Sequence, residues 1–269
     1  MVINFFFDVD GTIIPFGKNI PESAIKALFR AKELGHRLFL STGRGTCEID
    51  KRLHGLPFDG GIFSAGGKVI CNGRTVYMRQ FTLSERDYVM NFAKENNMEI
   101  LIQTEEGTLL RRSTYECWNS AFDRYLGRRL DIPGLVVVDE FPDDLMMNKI
   151  VFFAMDRNIP TIKERLDPNF TIVGNTVGLP QDFLAELVLS DITKASGIER
   201  LIGYLGDNVD SVVAIGDGPN DIEMIQYASI GIAMGNGCDE LKSIADFVTD
   251  DIESDGLRKA IEYAMEKLG

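Results

Sequence analysis

The sequence predicts an α/β protein, a doubly wound parallel sheet of Rossmann-like type interrupted by an inserted α+β segment. Three observations carry this prediction. Short apolar runs that read as buried strands, at 2–7, 37–41, 211–215 and 229–234, are separated by helical patterns. The first and third runs lead straight into carboxylates, Asp8-Val9-Asp10-Gly11-Thr12 and Gly216-Asp217-Gly218-Pro219-Asn220-Asp221, and the carboxyl ends of strands are where open parallel sheets build their sites. From 81 to 185 the alternation gives way to a mixed pattern with apolar content of its own, which predicts a separate domain.

The elements follow in order. After the first strand, the pattern at 21–34 opens with Pro21, places Ile25, Leu28 and Phe29 on one face and stops at Gly35, the Pro-in and Gly-out asymmetry of a helix. That helix would cross to the second strand, Arg37-Leu38-Phe39-Leu40-Ser41. Residues 68–77 read as a hairpin turned at Asn72-Gly73, a pair that supplies the positive φ angles a tight turn needs. In the insertion, alternating segments at 99–103 and 149–153 mix with helical ones at 84–96, 114–126 and 160–166. Helices then fit 195–205, 219–228, 238–246 and 255–268. The expected division is a core of 1–80 and 186–269 around a cap of 81–185.

Composition narrows the function. A chain of 269 residues, 45% hydrophobic, can bury a full core. Its formal net charge of -13 and pI near 4.7 would repel a nucleic acid over most of the surface. No apolar run is long enough to span a bilayer, and the first residues lack the pattern of a signal peptide, so no membrane partner and a cytoplasmic location are expected. Cys47, Cys71, Cys117 and Cys238 are scattered, with no metal or disulfide spacing. Any phosphate handled here must therefore be small, its charge met by a metal or a placed cation.

The chemistry-bearing residues fit that requirement. Asp8 and Asp10, two apart, would face the same way if the chain ran on extended past Phe7. One carboxylate can then attack phosphorus while the other protonates the leaving oxygen and later deprotonates water. Thr42-Gly43-Arg44 follows the second strand and brings a hydroxyl and backbone N–H groups to the same sheet edge, suited to phosphoryl oxygens. Lys194, opening a helical pattern, can set a positive charge on the transferring group. Asp217 and Asp221, four apart around Gly-Pro-Asn, suit oxygen coordination of Mg2+, and Asn220 can join that shell.

Taken together, Asp8-x-Asp10-Gly11-Thr12, Thr42-Gly43-Arg44, Lys194 and Gly216-Asp217-Gly218-Pro219-Asn220-Asp221 resemble the four motifs of the haloacid dehalogenase superfamily, in order and at suitable spacings. The tail from Ile232-Ala233-Met234-Gly235-Asn236-Gly237 through Val248-Thr249 is similar to its Cof-type, sugar-phosphatase-like subfamily. The resemblance implies a haloacid dehalogenase-like core and a Mg2+ cofactor. It makes Asp8 nucleophile and metal ligand, and Asp10 general acid/base that also offers its backbone carbonyl to the metal. Thr42 with Gly43 and Lys194 would hold the phosphoryl oxygens, Asp217 would ligate the metal, Asp221 would orient the shell, and Asn220 would touch phosphate or metal-bound water.

The activity so implied is hydrolysis of small phosphorylated metabolites, sugar phosphates first, by a monomer or homodimer through an aspartyl-phosphate. Asp10 favours this over dehalogenation, since only a departing alkoxide needs an acid. A phosphomutase would use the same residues, and a phosphometabolite-binding or regulatory protein could keep the fold without catalysis. At Ser64-Ala65-Gly66-Gly67 the chain departs from relatives, which often show Asn-Gly there. Tyr115, Trp118, Phe122 and Tyr125 recur at helical spacing and are expected to pack a core rather than stack on substrate. At most one of Arg111 and Arg112 should reach a second anionic group of a substrate, because neighbours on an extended segment point apart. His36 and His54 are expected at the surface.

Overall fold

The structure is a computed structural model and describes residues 1–127, 129–174, 179–180 and 182–269. The chain begins with β1 (Asn4–Phe7), α1 (Glu22–Glu33), β2 (Arg37–Ser41), β3 (Gly60–Phe63), β4 (Lys68–Cys71) and β5 (Arg74–Met78). It continues with α2 (Leu83–Glu95), β6 (Met98–Gln103), β7 (Thr108–Arg111), α3 (Arg112–Leu126), β8 (Leu135–Val138), β9 (Lys149–Ala154), α4 (Ile159–Arg165), β10 (Phe170–Gly174) and β11 (Leu184–Leu189). It closes with α5 (Lys194–Leu205), β12 (Val212–Gly216), α6 (Ile222–Tyr227), β13 (Ile230–Ala233), α7 (Asp239–Ile244), β14 (Phe247–Val248) and α8 (Gly256–Leu268). Two compact units result: Met1–Gly43, Asp50–Met78 and Thr193–Gly269 form the first, Arg44–Ile49 and Arg79–Ile192 the second.

In the first unit the described residues form one sheet in the order β14-β13-β12-β1-β2-β3-β4-β5. Strands β14 through β3 are parallel, and β3, β4 and β5 finish as an antiparallel edge. The central strand needs cover on both faces because Asn4, Phe5, Phe6 and Phe7 are all fully buried. Phe6 and Phe39 stack at 5.2 Å and pack with Ile198, Leu201 and Ile202 of α5 and Met224 and Ile225 of α6. By the two-residue period Phe5 and Phe7 face the other way, which leaves that side to α1 and α8, packed on each other. The sequence places Ile25, Leu28 and Phe29 on the buried face of α1. The observed stripe is Ala24, Ala27, Leu28 and Ala31, with Phe29 exposed. Small residues here and at Ala260 and Ala264 of α8 let two helix backbones approach closely, a requirement that hydrophobic periodicity alone does not register.

The remaining predicted elements of this unit appear with small shifts. The hairpin turns at Asn72 and Gly73, with φ of +48° and +75°. Helix α5 starts under a Thr193 cap whose hydroxyl accepts from Ser196 N, and it stops at Gly206 in the left-handed region. His36 is buried rather than at the surface: its Nδ1 accepts a hydrogen bond from Ile3 N at 3.1 Å, and its ring meets the edge of Phe5. Burial accordingly holds its pKa down.

Among the described residues the second unit carries a six-stranded sheet, β10-β11-β9-β6-β7-β8, antiparallel except between β7 and β8. Helix α3 puts Trp118 and Phe122 against Leu101, Leu110, Phe153 and Leu184, and the Trp118 and Phe153 rings lie 4.1 Å apart. The aromatic stripe is thus core packing at Trp118, Phe122 and Tyr115, while Tyr125 is partly exposed. Arg111 and Arg112 do not share one extended segment as the sequence suggests, and each meets a carboxylate of the protein itself. Helix α3 begins at Arg112, so the chain is no longer extended, and the pair meets Glu140 and Asp139 respectively.

Candidate active site

Three of the sequence-predicted motifs fall at carboxyl ends of adjacent parallel strands. Asp8 follows β1, Thr42 follows β2 and Asp217 follows β12. The chain leaves β1 for β2 on one side, while β12, whose Val212 pairs with Asn4, arrives on the other from more than two hundred residues away. The switch point of the sheet therefore lies between β1 and β12, where a crevice opens because neighbouring connections run to opposite faces. Register keeps the motifs level: Phe7 pairs with Ile215 and with Leu40, and Asp8 N donates to Ile215 O at 2.9 Å.

Lys194, the first residue of α5, is the hub of this crevice. Its Nζ lies 2.5 Å from Asp8 Oδ1 and 2.5 Å from Asp221 Oδ1, with Lys194 2%, Asp8 6% and Asp221 0% exposed. The other Asp221 oxygen accepts from Asp217 N and Gly218 N, both at 2.9 Å. Asp221 thus spends both oxygens holding the loop and the lysine in place. Asp217 Oδ1 accepts from Thr12 Oγ1 at 2.8 Å. Asp8, Asp217 and Asp221 each offer an oxygen within 4.8 Å of the others.

The carboxylate of Asp10 is outside that group, and the chain does not run on extended as the spacing argument supposed. Residues 9–14 form a tight turn closed by Gly11 N to Ile14 O and Ile13 N to Val9 O. Gly11 is required in it: its φ is +91°, and a Cβ there would fall 2.2 Å from Asp217 Oδ2. Asp10 is nevertheless near enough for its charge to push up the pKa of both Asp8 and Asp217.

Thr42 is 2% exposed, and its N–H is spent on Ile62 O at 2.9 Å, so it brings a hydroxyl to the site rather than that amide. Its carbonyl accepts from Ala65 N at 3.0 Å. Ser64 and Ala65, in the segment where relatives often differ, sit consecutively in the left-handed region at φ of +50° and +56°. Such conformations cost roughly 1–3 kcal/mol each in non-glycine residues and cluster at functional sites. Arg44 donates from Nη1 to Glu48 O at 3.1 Å and lies within the second unit.

The electrostatics are those of a site short of positive charge. Burial, then the neighbouring Asp221, holds Asp8 well above the usual carboxylate range, although Lys194 pulls it down. Burial and Asp221 likewise push Asp217 up to about 7 against the lowering hydrogen bond from Thr12. Burial would lower Lys194, but Asp221 and Asp8 outweigh it and raise its pKa. One ammonium among four acidic groups leaves a deficit that a cation would relieve. Hard carboxylate oxygens suit Mg2+, and no hydrogen bond consumes Oδ2 of Asp8 or of Asp217 among the described residues. Asn220 Oδ1 is a buried acceptor with no hydrogen-bond partner among the described residues, as a group that meets a bound water or ion would be.

Comparison with known proteins agrees with this chemistry. The pattern that defines the haloacid dehalogenase-like hydrolases matches residues 5–261. The chain belongs to that family. This hydrolase is 28% identical over 264 residues to YkrA of Bacillus subtilis, provisionally named a phosphatase, covering 98% of this chain and 96% of YkrA. It is 24% identical over 264 residues to YitU of the same organism, a 5-amino-6-(5-phospho-D-ribitylamino)uracil phosphatase, covering 95% and 94%. Among solved structures, the subclass IIB sugar phosphatase BT4131 superposes with a TM-score of 0.82 at 26% identity, covering 98% of this chain and 99% of the other.

Two side chains of the hydrolase escaped the sequence reading of roles. Thr12, fully buried, orients Asp217 from across the switch point. Asn236 donates from Nδ2 to Gly11 O at 2.8 Å and accepts from Ile252 N at 2.9 Å, bracing the turn that carries Asp10. Both lie inside quoted motifs. For Thr12 the signal that would have found it is a polar side chain just past a buried strand, which must find a partner once buried; for the exposed Asn236 no local signal exists.

Proposed function

We propose that this hydrolase is a Mg2+-dependent phosphatase of small phosphorylated metabolites, with sugar and polyol phosphates as its substrate class, and that it works through an aspartyl-phosphate on Asp8. The observation that carries the reading is the placement of Asp8: a buried carboxylate at the switch point, one oxygen held by Lys194 and the other unspent. Lys194 favours the ionised form of Asp8 against burial and a bound cation would complete that effect, so Oδ2 is the oxygen that attacks phosphorus as the ester P–O bond breaks. Asp10 gives its proton to the leaving alkoxide, then takes one from the water that hydrolyses the aspartyl-phosphate and frees phosphate. The Thr42 hydroxyl, Gly43 and Lys194 hold the phosphoryl oxygens, and Asn220 joins them at the shell. Asp8, Asp217 and the Asp10 carbonyl would hold Mg2+, which neutralises phosphoryl charge when bound, and Asp221 fixes their geometry from behind.

The substrate class is supported by the names of YitU and BT4131, both phosphatases of polyol or sugar phosphates. Residues 79–192 are read as the domain that selects the substrate. Replacing Asp8 by Asn should abolish phosphate release from p-nitrophenyl phosphate in Mg2+, a loss on the order of 10⁴-fold or more. Retained turnover would sink the reading. Among a panel of phosphorylated metabolites, sugar and polyol phosphates should give the highest kcat/KM.

A further inference from the structure

The segment Arg44–Ile49 follows directly on Thr42-Gly43 yet is built into the second unit. Its anchor is Glu48, which lies outside the switch-point crevice and is only 7% exposed. Three donors from three stretches of chain converge on it. Gly45 N at 2.8 Å and Gln103 Nε2 at 2.6 Å donate to Oε2, and Thr108 Oγ1 donates to Oε1. Gln103 and Thr108 are register partners on β6 and β7, so the carboxylate is gripped at the turn end of a hairpin. The Glu48 main chain is engaged as well, its carbonyl by Arg44 Nη1 at 3.1 Å and its N–H by Gly45 O at 3.0 Å.

The packing around the segment is close. A Cβ on Gly45 would fall 3.2 Å from the Gln103 side chain, and one on Gly134 would fall 3.2 Å from Cys47 O. A surface loop has no need of such an arrangement. Burying a carboxylate is costly unless its oxygens are satisfied, and removing one partner of a satisfied set is costlier than never having built it. The feature of 44–49 that repays this is its neighbour in sequence: one peptide separates the segment from the Thr42-Gly43 turn.

We propose that Glu48 is a positioning residue for the phosphatase reaction. By holding 44–49 on the β6–β7 hairpin it fixes Arg44 and, through the Gly43–Arg44 peptide, the turn that presents the Thr42 hydroxyl to phosphate. The inference rests on the phosphatase reading and goes beyond it, since Glu48 touches no reacting atom.

The test compares wild type with Glu48→Ala, Glu48→Gln and Thr108→Val in Mg2+. Three quantities are read: steady-state constants on p-nitrophenyl phosphate, the inhibition constant of inorganic phosphate, and the unfolding temperature. For Glu48→Ala both KM and the phosphate inhibition constant should rise tenfold to a hundredfold, more than kcat falls, because a displaced turn weakens the grip on phosphate before it alters the nucleophile. Glu48→Gln keeps one acceptor oxygen and should fall between. Thr108→Val should shift the same constants in the same direction by less. Variants that melt earlier but keep wild-type KM and phosphate inhibition show that Glu48 is only structural, and overturn the inference. Should Glu48→Ala not fold, unchanged constants in the other two variants overturn it equally. A wild-type enzyme that releases no phosphate overturns the phosphatase reading itself, and the inference with it, a failure visible before any variant is made.

Discussion

Each unit of this hydrolase buries acidic side chains, and the two do it in opposite ways. In the first unit Asp8, Asp217 and Asp221 share one ammonium, Lys194, and burial drives Asp8 and Asp217 well above the ordinary carboxylate range. In the second unit the carboxylates of Glu48 and Glu186 are matched by their own donors: Glu48 receives three hydrogen bonds, and Glu186 meets Lys149 one to one at 2.6 Å. Both arrangements are well ordered, but only the first carries an excess of charge that the protein does not itself neutralise. Buried polar groups that balance hold a structure together, and those that do not balance mark where something else must bind.

The sharpest way to break this contrast is to remove the lysine from each cluster. Lys194→Met strips two fully buried carboxylates of their counter-charge, so it should cost about 3–5 kcal/mol of stability and eliminate measurable turnover. Thermal unfolding with and without Mg2+, beside a phosphate-release assay, checks both effects. Asp10→Asn comes next. It should lower kcat by about 10²–10⁴-fold on an alkyl phosphate but much less on an aryl phosphate, whose leaving group needs no proton. Equal losses on the two esters would remove Asp10 from the acid role.

Lys149→Met should do less than Lys194→Met. Glu186 is 26% exposed and can recover water, so a loss of about 1–3 kcal/mol is expected, with kcat on p-nitrophenyl phosphate nearly unchanged. The smallest effect is the pH dependence of stability without metal. Asp8 and Asp217 bind protons in the folded chain that they lose at ordinary pH when unfolded, and Asp217 does so up to about 7. Their contribution should therefore fall as pH rises from about 4 to about 7, and Mg2+, which competes with those protons, should stabilise the protein more at pH 8 than at pH 6. Unfolding temperatures over that range with and without Mg2+ would decide it; a stabilisation by Mg2+ independent of pH would contradict the protonated state of Asp217.

How much of this was legible in the sequence depends on how far apart the cooperating residues lie. The motifs at Asp8, Thr42, Lys194 and Asp217 were readable because each sits at the end of a local pattern, an apolar run or a helix start, and the local pattern fixes which sheet edge it reaches. The Asn72-Gly73 hairpin was readable for the same reason. His36 was misplaced because its burial depends on Ile3 N and Phe5, more than thirty residues earlier, which no window around His36 contains. The extended reading of Arg111-Arg112 failed because helix α3 begins at Arg112, two residues sooner than the pattern at 114–126 announces. Strands β7, β8, β10 and β11 were missed because short strands in a mixed sheet owe their pairing to partners distant in sequence.

The sequence by itself determined the α/β class, the elements carrying the acidic motifs and the chemistry those motifs can perform, because hydrophobic period, turn residues and donor type are properties of neighbours along the chain. Only the tertiary structure decided the rest: that Lys194 joins Asp8 to Asp221, that Thr12 and Asn236 brace the loops, and that Glu48 is buried at all. For Lys194, Thr12 and Glu48 those are consequences of burial, which removes water from a polar group and obliges it to find its partner wherever in the chain that partner lies, while the exposed Asn236 meets Gly11 because folding brings together residues far apart in the chain.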